Sequence, residues 1–157
     1  MSARQRPDGN YRASIVVAAL PDRVFDSLTT VAGLAGWWTS EVSGSPALGR
    51  ELRFAFGEEA VVMRVDRADR PTAVTWTCLR HTRFPEWQGT EIAFDVRPQG
   101  DGRTRLSIEL VGLVPDLGDC YDHCSRGWDH FLGSIAGLAG GEGGSPWQSP
   151  TARPAPV

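Results

Sequence analysis

The chain has 157 residues, a formal net charge of −3 and a hydrophobic fraction of 41%, enough length for one domain with a buried core. The acidic balance argues against a nucleic-acid partner, which needs a basic face, and no apolar run approaches the ~20 residues of a membrane helix. All 16 basic residues are arginine, which excludes a lysine nucleophile, a Schiff base and a phosphate-loop lysine.

The opening "MSARQRPDGNYR" is polar and lacks the apolar core of a secretory leader; residues 1–10 are expected to be flexible. "YRASIVVAA" alternates Tyr11, Ala13, Ile15 and Val17 against Arg12 and Ser14, the pattern of a half-buried strand. Pro21 then opens a helical pattern through Val24, Phe25 and Leu28. Gly33 and Gly36 break the continuation, so the spacing predicts two short helices rather than one.

A series of strands follows. Leu52, Phe54 and Phe56 alternate with Glu51 and Arg53; Val61, Met63 and Val65 oppose Arg64 and Asp66; Val74, Trp76 and Cys78 oppose Thr75 and Thr77. Ile92, Phe94 and Val96 repeat the pattern, as do Leu106, Ile108 and Leu110. Short connections with turn signals ("GEE", "DRP", "PQGDG") make the sheet antiparallel with one buried face. A long helix is predicted from about residue 120 to 140, with Cys124, Trp128, Phe131, Ile135 and Leu138 as its apolar stripe. Residues 11–141 thus form a single α+β domain, and 142–157 read as a Gly/Pro-rich tail.

The long helix holds three interior glycines, Gly127, Gly133 and Gly137. Each weakens a helix by about 0.5–1 kcal/mol relative to alanine. Missing side chains at these positions allow close backbone approach or leave room for a guest molecule.

The element order and five motifs resemble the START-like, or SRPBCC, superfamily. The motifs are "LAGWWTS", "LGRELRF", "VMRVDRADRPTAVTWTC", "GTEIAFDVRPQGDGRTRLSIEL" and "GWDHFLGSIAGL", the last followed by "GEGGSPW". Within the superfamily the chain is most similar to the bacterial branch that resembles the C-terminal domain of activators of the heat-shock-protein-90 ATPase. The resemblance implies a helix-grip fold: a curved antiparallel sheet of about six or seven strands around a long C-terminal helix, with an apolar cavity between them.

Under that resemblance the expected ligand-contacting residues are Trp37, Phe54, Met63, Trp76, Cys78, Phe94, Trp128 and Phe131. Trp37 and Trp38 form an aromatic pair expected at the cavity mouth. Cys78 with His81, and Cys120 with His123 and Cys124, bring thiols and imidazoles together, but neither group has the paired spacing of a structural zinc site. No metal and no cofactor are therefore expected. With 3 cysteines and no framework spacing, the thiols are expected to be reduced and the location cytoplasmic. No catalytic constellation is evident, since the sequence has no G-x-S-x-G elbow and none of its 3 histidines has a sequence-evident nucleophile. The first functional expectation is a protein that binds an apolar or amphipathic small molecule, with no nucleic-acid or membrane partner. The alternatives are a polyketide-cyclase or dehydratase-like enzyme, and a chaperone-ATPase cofactor acting through protein contacts.

Overall fold

The computed structural model describes residues 10–112 and 119–147, the second stretch with side chains from Ser125 onward. In chain order the elements are β1 (Tyr11–Val17), α1 (Pro21–Thr29), α2 (Val31–Trp37), β2 (Glu41–Gly44), β3 (Glu51–Phe56), β4 (Glu59–Asp69), β5 (Ala73–His81), β6 (Glu91–Gly100), β7 (Arg103–Val111) and α3 (Asp119–Ala139). A single 3-10 turn, Pro85–Trp87, interrupts the β5–β6 connection.

Alternation makes the strands. In β7, Leu106, Ile108 and Leu110 are buried, whereas Ser107 and Glu109 lie on the other face. In β6, Ile92, Phe94 and Val96 do the same beside Ala93 and Asp95. All seven strands join one antiparallel sheet in the order β1-β7-β6-β5-β4-β3-β2. β1 thereby pairs with β7 from Tyr11↔Leu110 to Val17↔Thr104, and each strand presents its apolar side to the same face. β2 is the strand that alternation does not reveal. It has four residues, "EVSG", with one apolar side chain, and it pairs at the edge through Val42↔Phe54.

The two short helices are real and distinct. Thr30 ends α1 with extended backbone, and its Oγ1 accepts the Gly33 N–H at 3.0 Å, which caps α2. The Trp37 indole N–H donates to the Ser27 carbonyl at 2.7 Å and ties α2 to α1. This bond satisfies the one polar atom of a fully buried indole.

The sheet curves around α3. The buried stripe of α3 is Trp128, Leu132, Ile135 and Ala139. Phe131 and Leu138, expected on that stripe, are only half-buried and flank it; Cys124 lies outside the described side chains. The Tyr11 hydroxyl donates to Asp129 Oδ1 at 2.6 Å, linking the first strand to the last helix.

α3 ends in a Schellman turn. The Glu142 N–H reaches the Gly137 carbonyl at 2.8 Å and the Gly141 N–H reaches Leu138 at 3.2 Å, with Gly141 at φ +89°. This left-handed residue reverses the chain and sends residues 142–147 back along the helix. That segment, read from the sequence as the start of a tail, is hydrogen-bonded to the body as far as Trp147. Residues 148–157, and the expected flexible N-terminus apart from Asn10, lie outside the described residues.

Candidate functional site

Two of the five ring pairs around Trp38 are parallel: Trp37 at 5.9 Å and 10°, and Trp76 at 5.9 Å and 5°. Phe54 and Trp128 close in at 4.2 and 5.0 Å. This aromatic block fills the space between the sheet and α3. Beyond it, at the end of the sheet where β4 begins and β5 finishes, the packing opens into a cleft of about 360 Å³. That volume is within the range of small-molecule sites.

Five parts of the chain build the cleft. Trp38 forms its floor, while Phe56, Glu59, Val61 and His81 come from the facing strand ends. Arg83, Phe84 and Trp87 come from the β5–β6 connection, and Gly127, Trp128 and Phe131 from α3. Trp147 closes the remaining side. The β5–β6 connection is shaped by His81, whose Nδ1 accepts the backbone N–H groups of Arg83 and Phe84 at 3.2 and 3.1 Å. An accepting Nδ1 places the proton of the neutral ring on Nε2. His81 also lies 5.3 Å from the Phe84 ring and 4.9 Å from Trp87, so the imidazole is the hub of this wall. At the rim, Arg83 stands over the Phe84 ring at 5.0 Å and is 3.9 Å from Glu59. One cation and one anion therefore mark the mouth of an otherwise apolar cleft.

Of the eight residues expected to contact a ligand, Trp128 and Phe131 line the cleft. Trp37, Phe54, Met63, Trp76, Cys78 and Phe94 do not; all six are buried in the block behind it. Of the aromatic pair it is Trp38, not Trp37, that meets the cleft. Phe56, Phe84, Trp87 and Trp147 are the aromatic members that sequence reasoning missed, beside Glu59, Val61, His81 and Arg83. Phe56 ends β3, within the alternation the sequence shows; for Phe84, Trp87 and Trp147 the signal is indirect, large aromatics in glycine- or proline-rich connections where solvent exposure would otherwise be expected.

The three helix glycines have three different surroundings. A Cβ on Gly127 would meet only Phe131, at 4.0 Å, and would point into the cleft. Gly133 has nothing within 4 Å and is exposed, so it neither packs nor makes room. A Cβ on Gly137 would run into the Gly143 carbonyl oxygen of the returning segment.

Among the described residues no group of three or more histidine, cysteine or carboxylate side chains is arranged to hold a metal. Cys120 and His123 lie, like Cys124, outside the described side chains. Cys78 is 1% exposed, and burial pushes its thiol up from the ordinary 9.0 to about 11. The sign follows from linkage. Between pH 9.0 and about 11 the unfolded chain releases this proton while the native chain keeps it. The thiol's contribution to stability is therefore whole below that window and lost as the pH rises through it. Urea midpoints measured across the window should fall more steeply for the wild type than for Cys78→Ala. Parallel curves would show that Cys78 ionises as an ordinary thiol. Cys120 and Cys124 are common to both proteins and cancel.

An antiparallel sheet gripping a C-terminal helix, with a cleft between the sheet's open end and that helix, is the START-like helix-grip fold. Within that class the chain resembles Aha1 proteins. The solution structure of the Aha1 dimer from Colwellia psychrerythraea is 27% identical, with a TM-score of 0.73 over 85% of this chain and 97% of that one. An HSP90 activator from Plasmodium falciparum shares the fold at 14% identity, TM-score 0.70, over 84% of this chain and 96% of its own. DynU16, from the dynemicin biosynthetic locus, does so at 22% identity and TM-score 0.65, over 86% of this chain and 49% of its own. No family model and no curated protein matches the chain. No described helix is long and apolar enough to cross a membrane.

Proposed function

We propose that this protein binds an apolar or amphipathic small molecule in the cleft between Trp38, Trp128 and the β5–β6 connection. The observation that carries this reading is the lining itself. Seven of the twelve residues around the cleft are tryptophan or phenylalanine, and its charges sit together at one rim. Apolar walls with a few localised polar groups are the usual composition of a ligand site. Flat rings supply the affinity, and Arg83 and Glu59 orient the polar end of the guest. A built concave site also favours ligand binding over the protein–protein role suggested by the names of the similar structures.

Four of the six tryptophans line the cleft, so occupancy has a direct optical readout. Adding 1-anilinonaphthalene-8-sulfonate to the folded protein is expected to quench tryptophan emission and raise the melting temperature. At a hundredfold excess over Kd the stabilisation should be about 2.7 kcal/mol. A screen of apolar aromatic compounds, with this dye as reference, in which none raises the melting temperature would overturn the reading.

A polyketide-cyclase-type reaction is a second reading, favoured by one observation: a histidine of fixed orientation lines the cleft. A proton-transfer role needs a positioned group of this kind. In the same screen it predicts conversion of a bound compound that is lost in His81→Gln while affinity is kept.

A further inference from the structure

We propose that residues 142–147 are a strap that forms the outer wall of the cleft, and that Trp147 on this strap determines which ligands the cleft accepts. The inference rests on reading the cleft as a ligand site and concerns how that site selects.

The strap is seated by backbone geometry. A side chain on Gly137 would strike the Gly143 carbonyl, and one on Gly144 would strike the Gly36 carbonyl. Glycine at both positions lets the strap lie directly on α3 and α2. Its polar groups then find partners on the body. The Ser145 N–H donates to Ser134 Oγ at 2.6 Å, and the Ser145 carbonyl meets His130 Nε2 at 2.9 Å. Ser134 is buried and also donates to the Trp37 carbonyl at 2.8 Å, so one hydroxyl joins α3, α2 and the strap.

The last described residue is fixed on both sides. The Trp147 N–H donates to the Trp38 carbonyl at 2.8 Å, and its own carbonyl accepts from the Ser40 N–H at 3.1 Å, forming a single parallel bridge to Thr39. The indole then stands 5.7 Å from the Phe56 ring and over the turn at Gly57, where a Cβ would lie 3.6 Å from it. Trp38 thus supplies the cleft floor with its ring and holds the cleft wall with its carbonyl. Floor and wall are registered to each other by one hydrogen bond.

A wall held by one bridge and a few side-chain bonds is separable from the fold. Removing the indole leaves the seven-stranded ladder and α3 untouched but opens one side of the cleft. The expected result is a change in selection rather than in folding. The tests use 1-anilinonaphthalene-8-sulfonate and its larger dimeric analogue, bis-ANS, with wild type, Trp147→Ala, Trp147→Phe and Ser134→Ala. Trp147→Ala should weaken the smaller dye at least tenfold and the larger one less, shifting the ratio of their Kd values by about tenfold. Trp147→Phe should restore the wild-type ratio in large part. Ser134→Ala, which does not touch the cleft, should shift the ratio in the same direction as Trp147→Ala and speed hydrogen exchange at the Trp147 amide.

An unchanged ratio in Trp147→Ala, with both dyes still bound, would overturn the strap as a selectivity element and leave the ligand site standing. If neither dye nor any compound of the aromatic screen bound the wild type, the ligand site itself would fall. Faster amide exchange in Ser134→Ala without any change in the ratio would also overturn the inference, because the strap would then move independently of selection.

Discussion

Gly127→Leu is expected to abolish ligand binding without unfolding the protein. Gly127 lies on the cleft side of α3, and the nearest atom to a Cβ placed there is Phe131 Cε2 at 4.0 Å. The new side chain therefore meets space rather than packed atoms, and it occupies part of a volume of only about 360 Å³. Leucine is also the better helix former, by about 0.5–1 kcal/mol, so the melting temperature should hold or rise. Affinity for the reference dye should fall at least a hundredfold. Two sister substitutions separate the causes. Gly133→Leu points to solvent and should leave binding unchanged. Gly137→Leu collides with the Gly143 carbonyl and should destabilise the chain whether or not ligand is present. Isothermal titration of the three variants decides the matter, and undiminished binding in Gly127→Leu would exclude the cleft as the site.

Trp76→Ala is expected to be the most destabilising single change in the aromatic block. Its indole is 0% exposed and has Trp38 at 5.9 Å, Phe54 at 5.6 Å and Phe94 at 5.0 Å around it. Truncating a tryptophan in such surroundings removes the transfer free energy and leaves a cavity, costing about 3–5 kcal/mol. Domains of this kind have about 5–15 kcal/mol in total, so the melting temperature should drop by about 6–20 °C. A loss below about 1 kcal/mol in urea denaturation would mean that the block repacks, contrary to the close ring contacts. Any weakening of dye binding in this variant would be indirect, through a floor at Trp38 that has lost its backing.

The contrast between these two substitutions shows what the sequence makes legible. Period-two alternation identifies which side of a strand faces inward, and it assigns Trp76, Phe94 and Met63 to the inner face, where they lie buried. It does not distinguish an inner residue that packs from one that borders open space. That distinction depends on where the sheet ends and what returns to cover it. Trp128 and Phe131 are legible as cleft residues because α3 spans both the packed block and its open end. Phe84, Trp87 and Trp147 sit in connections, where no periodicity exists to read. Phe84 is held by a local hydrogen bond to His81, Trp87 by its ring contact with His81 and its N–H bond to the Phe84 carbonyl, and Trp147 by bonds to Trp38 and Ser40 across the fold. The glycines of α3 carry the same lesson. One repeated residue type at helical positions has three separate environments, and only the tertiary structure assigns them.

The pairing of β1 with β7 has a consequence for how the chain reaches this state. β1 has β7 as its one neighbour in the sheet, and Tyr11 sits opposite Leu110. β1 is synthesised before the other strands of this sheet and therefore has no partner until the last of them, β7, has been made. Strands β3 to β7 form sequential hairpins and can pair as they emerge. β1 must close a loop spanning most of the domain, a contact that is entropically slow to form. Until it does, the apolar edge of β7 stays open to other chains. Translation order and sheet order run against each other at this one seam, making it the point at which the nascent protein is most exposed to misassembly.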